Sequence, residues 1–99
     1  MPLDVRFRTR RLQRRFEQSE DAARSWGPEV GRRYIQRVAA LLAAERVSDL
    51  YNVRALDLRP LTGDRRGQYA IRLTGQMRVI ITVEDERSVI IEEVVDYHG

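Results

Sequence analysis

The stretch QYAIRLTGQMRVIITV, residues 68–83, carries Arg72 and Arg78, and the sequence closes on Asp96, Tyr97, His98 and Gly99. Guanidinium groups hold and neutralise phosphate, and an imidazole moves protons near neutral pH. Phosphodiester cleavage needs both: cations for the charge that builds at phosphorus, and a titrating group for the attacking or leaving oxygen. His98 is the one histidine in the chain, so an imidazole shuttle has a single candidate. A histidine so near the end could equally be part of a frayed terminus. The loop TGDRRGQ, 62–68, adds Arg65, Arg66 and Gln68, with backbone amides between two glycines as further anion donors. The same composition also suits a plain solvated turn.

Strand parity decides whether these groups meet. Tyr69, Ile71 and Leu73 share one face of a strand and Ala70 and Arg72 the other. In the next segment Met77, Val79, Ile81 and Val83 alternate with Arg78, Ile80 and Thr82. A three-residue loop, Thr74-Gly75-Gln76, joins the two apolar rows and sets Arg72 directly across from Arg78. Opposed like charges destabilise a sheet, so the pair asks for an anion: a bound phosphate, or Glu92 in a structural network. Along SVIIEEVVDY, alternation puts Asp96 and His98 on the parity of Glu92, and Tyr97 on that of Val89, Ile91 and Val95, where its ring could cap the core. Apolar residues occupy both faces of VIIEEVV, and a bulge there would exchange the two assignments.

The preceding residues must position these strands. LDVRFR, 3–8, has the alternation of a half-buried strand. Leu12 and Phe16, then Ala22, Ala23 and Trp26, continue one helical face, with Ser19 placed to cap a new turn. Gly27-Pro28 ends that helix and opens a second, over roughly 28–46, carrying Val30, Tyr34, Val38, Leu41, Leu42 and Glu45 at three-to-four spacing. SDLYNV, 48–53, reads as a short capped helical turn, and ALDLRPLTGDRRGQ as a possible strand running into a loop. The prediction is a single α+β domain over 1–99. Its N-terminal strand and two-helix hairpin pack on a mostly antiparallel sheet of about four strands.

Composition narrows the chemistry. Ninety-nine residues suffice for one core that buries roughly 65% of the unfolded chain's surface. The chain has no cysteine, so disulfides and thiolate metal sites are excluded, and no metal or cofactor is expected. Neither a membrane span nor a secretion signal is evident, which predicts a cytoplasmic protein. All 18 basic residues are arginine: residues 1–83 hold 17 against 9 acidic residues, whereas 84–99 hold one against 6. A basic body fits a phosphate-rich partner, although arginine also replaces lysine throughout the proteins of GC-rich genomes.

RPLTGDRRGQYAIRLTGQMRVIITV, followed by the closing DYH, resembles the HigB-type (plasmid maintenance killer) toxins of the RelE/ParE superfamily. Their shared features are a Gly-Asp-Arg-x-Gly loop, an Ile-Arg strand, an aromatic-Arg strand and an Asp-Tyr-His ending. The resemblance covers most of the chain and implies a helical hairpin on a curved antiparallel sheet. It implies a ribosome-dependent endoribonuclease that cleaves translated mRNA without metal, held inactive by a helix-turn-helix antitoxin of the HigA type. DNA would be met only through that antitoxin. Arg72 and Arg78 would then hold the scissile phosphate, Tyr97 and His98 would stand at the cleavage centre, and Asp96 would orient the imidazole or the ribose. Arg65, Arg66 and Gln68 would contact RNA. Two departures are Met77, where the family usually has Trp or Tyr, and the acidic EDERSVIIEE. The rival reading is a non-catalytic binding module: a ParE-like gyrase poison, or a degenerate toxin acting only as corepressor with its antitoxin.

Overall fold

A computed structural model describes residues 1–96. Strand β1 (Asp4–Phe7) leads into three helices, α1 (Arg10–Glu17), α2 (Ser19–Trp26) and α3 (Pro28–Ala43). Two 3-10 turns, Val47–Asn52 and Arg54–Leu56, connect them to β2 (Arg59–Pro60), β3 (Gln68–Arg72), β4 (Met77–Asp85) and β5 (Ser88–Asp96). The strands form one sheet in the order β1-β5-β4-β3-β2. Among the described residues only β1 runs parallel to its neighbour, with Val5 across from Val89 and Phe7 across from Ile91. The α+β architecture of the sequence reading stands, with five strands rather than about four. The fifth is β2, too short at two residues to show a period of its own.

The expected hairpin of two helices is a three-helix layer. Gln18 leaves helical geometry at φ −125° and ψ 104°, and Ser19 is the first residue of α2 rather than its cap. The break lets α1 stack Phe16 on Phe7 of β1, centroids 6.0 Å apart, while α2 lies along α3. There the chains come close enough that a β-carbon on Gly31 would stand 2.9 Å from the backbone of Ala22 and Ala23. Thr9 caps α1, its side chain accepting the Leu12 amide at 3.2 Å. Helix α3 stops at Ala43 and so excludes Glu45. The Ala44 carbonyl accepts the Leu3 amide at 2.7 Å, tying the helix end to the start of β1, and Asp49 accepts the Glu45 and Arg46 amides.

One face of the sheet meets this layer. Ile71, Leu73, Val79, Ile81, Val89 and Ile91 pack under Leu12, Tyr34, Val38 and Leu41, all buried. The Tyr34 hydroxyl donates to the Leu12 carbonyl at 2.8 Å. Trp26 meets the Tyr34 ring edge-on at 4.7 Å and carries the Arg15 guanidinium over its own ring at 4.8 Å. Met77 packs with this apolar set, as its parity predicts. Among the described residues no helix is long and apolar enough to cross a membrane.

Candidate active site

The opposite face of the sheet carries the cations. β3 and β4 pair in the predicted register, Ile71 across from Val79 and Arg72 across from Arg78. The Thr74 hydroxyl accepts the amides of Gln76 and Met77 at 3.3 and 3.0 Å, which closes the Thr74-Gly75-Gln76 turn. The Arg78 guanidinium lies over that turn, donating to the carbonyls of Thr74 at 2.5 Å and Met77 at 3.0 Å. Two arginines of α3 fix the end of β3 from the far side: Arg37 Nε donates to the Arg72 carbonyl at 3.0 Å and Arg33 to the Leu73 carbonyl at 3.1 Å. Burial, reinforced by the charge of Arg33, holds the Arg37 pKa below its ordinary value. Arg72 itself is exposed. Its backbone is therefore held while its side chain stays in solvent.

Arg72 and Arg78 share a cleft of about 440 Å³ with Asp57, Arg59, Ala70 and Gly75. Arg59 enters because β2 sets it directly across from Ala70, on the same face as Arg72. The short side chain of Ala70 lies between Arg59 and Ile80 in the wall of this cleft. Arg59 is 75% exposed and its Nε donates to Asp57 at 3.2 Å. The sequence reading missed both Asp57 and Arg59. The available signal was the RP dipeptide at the end of the possible strand ALDLRP, whose two paired residues offer no alternation from which to assign a face.

Glu92 is not the counter-ion expected for Arg72 and Arg78. Its carboxylate accepts from Thr82 at 2.7 Å and pairs with Arg8 at 3.2 Å. Thr82 in turn accepts from Gln68 at 3.2 Å, Gln68 accepts from Arg65 at 2.9 Å, and Arg65 reaches Glu93 at 3.3 Å. Of the loop residues expected to meet RNA, Arg65 and Gln68 thus belong to a chain of internal contacts beside the cleft, while Arg66 is exposed. Gly63 and Gly67 bracket the loop with φ of +73° and +79°, a backbone that favours glycine.

The bulge that could exchange the two faces of β5 is present. Ile80 faces Glu93 but Ile81 faces Ile91, so Glu92 is the extra residue. Beyond it Val95 lies across from Arg78, and Asp96 across from Met77. Asp96 therefore does not share the row of Glu92, which corrects the simple alternation. Tyr97 and His98 lie outside the described residues. Among those described, no cluster of three His, Cys, Asp or Glu side chains could hold a metal ion.

A family model described as HigB-like toxin, a RelE-like toxin of the type II toxin-antitoxin system HigB, matches residues 5–98. The chain belongs to this family. Solved toxins of the RelE-like fold are similar in structure. A YoeB/ParE toxin from Agrobacterium tumefaciens superposes with TM-score 0.55 at 13% identity, covering 98% of this chain and 100% of that one. The RelBE2 toxin-antitoxin complex from Mycobacterium tuberculosis gives 0.51 at 22% identity, over 99% and 100%. A YoeB-YefM complex from Staphylococcus aureus gives 0.54 at 16% identity, over the whole of both chains. No curated protein matches in sequence. At these identities the structural likeness establishes the fold, and the family match over residues 5–98 establishes a RelE-like type II toxin.

Proposed function

We propose that this HigB-like toxin is a ribosome-dependent endoribonuclease that inhibits growth by cutting translated mRNA, and that an antitoxin of the HigA type restrains it. The carrying observation is the cationic cleft on the open face of the sheet, where Arg59, Arg72 and Arg78 converge from three adjacent strands. Three arginines lining one cleft favour an anion there, and a backbone phosphate is such an anion. Arg72 and Arg78, joined by Arg59, hold it and neutralise charge at phosphorus as the ribose 2′-hydroxyl attacks. DNA lacks that hydroxyl and does not react.

Tyr97 and His98 serve the cleavage centre, His98 as the proton donor to the leaving oxygen, and Asp96, off the row of Arg78, orients the imidazole. Arg66 touches RNA beside the cleft, with Arg65 and Gln68 shaping the loop that presents it. Neither metal nor cofactor takes part. DNA is contacted only through the antitoxin, and the whole pair works in the cytoplasm. Dependence on the ribosome follows from the small set of groups: one histidine and no lysine in the chain. A particle that orders the message into attack geometry makes up for the groups that are missing.

The test is expression with and without the neighbouring antitoxin while cleavage ends on translated messages are mapped, alongside naked RNA in vitro. Cleavage on ribosomes and little on naked RNA is expected. Growth arrest without message ends would favour the gyrase-poison reading, and no arrest at all the corepressor reading. His98→Gln should slow single-turnover cleavage by about 100- to 10,000-fold. Tyr97→Phe separates the hydroxyl from the ring.

A further inference from the structure

The groups assigned so far hold the phosphate and protonate the leaving oxygen, but 2′-hydroxyl attack also requires a group that removes the hydroxyl proton. None of Glu92, Glu93 and Asp49 lines the cleft. The cleft contains one carboxylate among its described lining residues, Asp57. We propose that Asp57 is the general base, accepting the proton of the attacking 2′-hydroxyl while Arg59, Arg72 and Arg78 hold the phosphate. This rests on the nuclease reading above.

Asp57 is held in an unusual way. At φ 43° and ψ 53° it is the one non-glycine residue in the left-handed region among the described residues. Its amide donates to the Arg54 carbonyl at 3.0 Å, closing the second 3-10 turn. Leu56 and Leu58 on either side are 0% and 9% exposed. Two buried anchors therefore fix the backbone between them and leave the intervening side chain at the cleft, where 36% of it is exposed. A backbone conformation that its surroundings over-determine is characteristic of positions whose side chain must be aimed. Arg59 donates to one carboxylate oxygen, Oδ1, at 3.2 Å, which leaves the second oxygen to serve as the base. The charged groups lining the cleft around it are Arg59 on β2, Arg72 on β3 and Arg78 on β4. The same positive charge favours the alkoxide that forms as the proton leaves.

In the step, the 2′-hydroxyl proton passes to Asp57, the O2′–P bond forms and the P–O5′ bond breaks. The leaving O5′ takes its proton from the His98 imidazolium or from water. The products are a 2′,3′-cyclic phosphate and a 5′-hydroxyl, with no oxidant, reductant or further reactant.

The test compares Asp57→Asn and Asp57→Gly with the parent in single-turnover cleavage of ribosome-bound message across pH. Binding of the same message with a 2′-deoxy residue at the cut position is measured in parallel. Asn tolerates the left-handed backbone and still accepts from Arg59, and Gly relaxes the backbone altogether. Both variants should cut about 100- to 10,000-fold more slowly. They should lose the decline in rate toward acid pH that protonation of a base produces, and bind the deoxy message as the parent does. Cleavage at the parental rate by either variant overturns the assignment. So does a loss of cleavage matched by an equal loss of binding, which would make Asp57 a holder of Arg59. If the parent leaves no ends on ribosome-bound message, the nuclease reading falls and this one with it. If the parent cuts and Asp57→Asn cuts equally well, this one falls alone.

Discussion

The two faces of the sheet use the same strands for opposite purposes. Under the helices, Ile71, Val79, Ile81, Val89 and Ile91 are at most 1% exposed. On the other face the rows read Ala70-Arg72 and Arg78-Ile80-Thr82, and apart from Ala70 and Ile80 they are polar and reach solvent. Ile80 is fully buried there, across from Ala70 and Glu93. A period of two lets one strand supply both rows, so stability and chemistry vary independently at alternate positions. The open face is itself divided: around Arg72 three arginines line a cleft of about 440 Å³, whereas beside Thr82 Arg8 pairs with Glu92 and Arg65 with Glu93.

Ile81→Ala should bring the largest change on the helix side, about 2–5 kcal/mol of stability in urea unfolding, because the cavity lies at the centre of the core. A loss no greater than that of an exposed substitution would mean that the two faces are not distinct. Its counterpart is Arg72→Ala, which should cut ribosomal cleavage about 100- to 1,000-fold and abolish growth inhibition. Its melting temperature should hold or rise as repulsion from Arg78 is relieved. Full toxicity in that variant would remove the phosphate role.

Gly31→Ala tests how tightly the helix layer is closed. Alanine is the better helix former, yet its β-carbon would meet backbone at 2.9 Å, so a loss of about 1–3 kcal/mol is expected. Tyr34→Phe should cost about 1 kcal/mol by leaving the Leu12 carbonyl without its donor. Burial pushes the Tyr34 pKa well above its ordinary value, against a smaller opposing pull from Arg15. Its protonated form is therefore favoured by folding. That contribution is fully present below about pH 10, where an unfolded tyrosine ionises, and is lost as pH rises toward the folded value. The parent's urea midpoint should fall above that pH, and Tyr34→Phe should fall less. Smallest of all, Glu92→Gln should shift stability by under about 1 kcal/mol, since its partner Arg8 is 66% exposed. A large loss there would show that the matched end of the open face carries the fold as well.

Alternation and turn chemistry made much of this protein readable from its sequence alone. The Arg72–Arg78 pairing followed from two apolar rows that one three-residue loop could join, and the place of Met77 in the core from the same parity. Helix α3 was evident from Tyr34, Val38 and Leu41 and from Pro28 at its start. These are local signals with many residues behind each. What the tertiary structure alone decided rests on few residues or distant ones. The chain leaves helical geometry at Gln18 and serves two contacts, one with β1 and one with α3. Helix α3 ends where Leu3, forty-one residues earlier in number, takes the Ala44 carbonyl. One extra residue at Glu92 reversed the faces beyond it and moved Asp96 off the row of Arg78, because a single bulge shifts every later side chain of a strand. Arg59 and Asp57 reached the cleft through a two-residue strand pairing, too short for any period to reveal, and only the folded sheet could bring them to the arginines of β3 and β4.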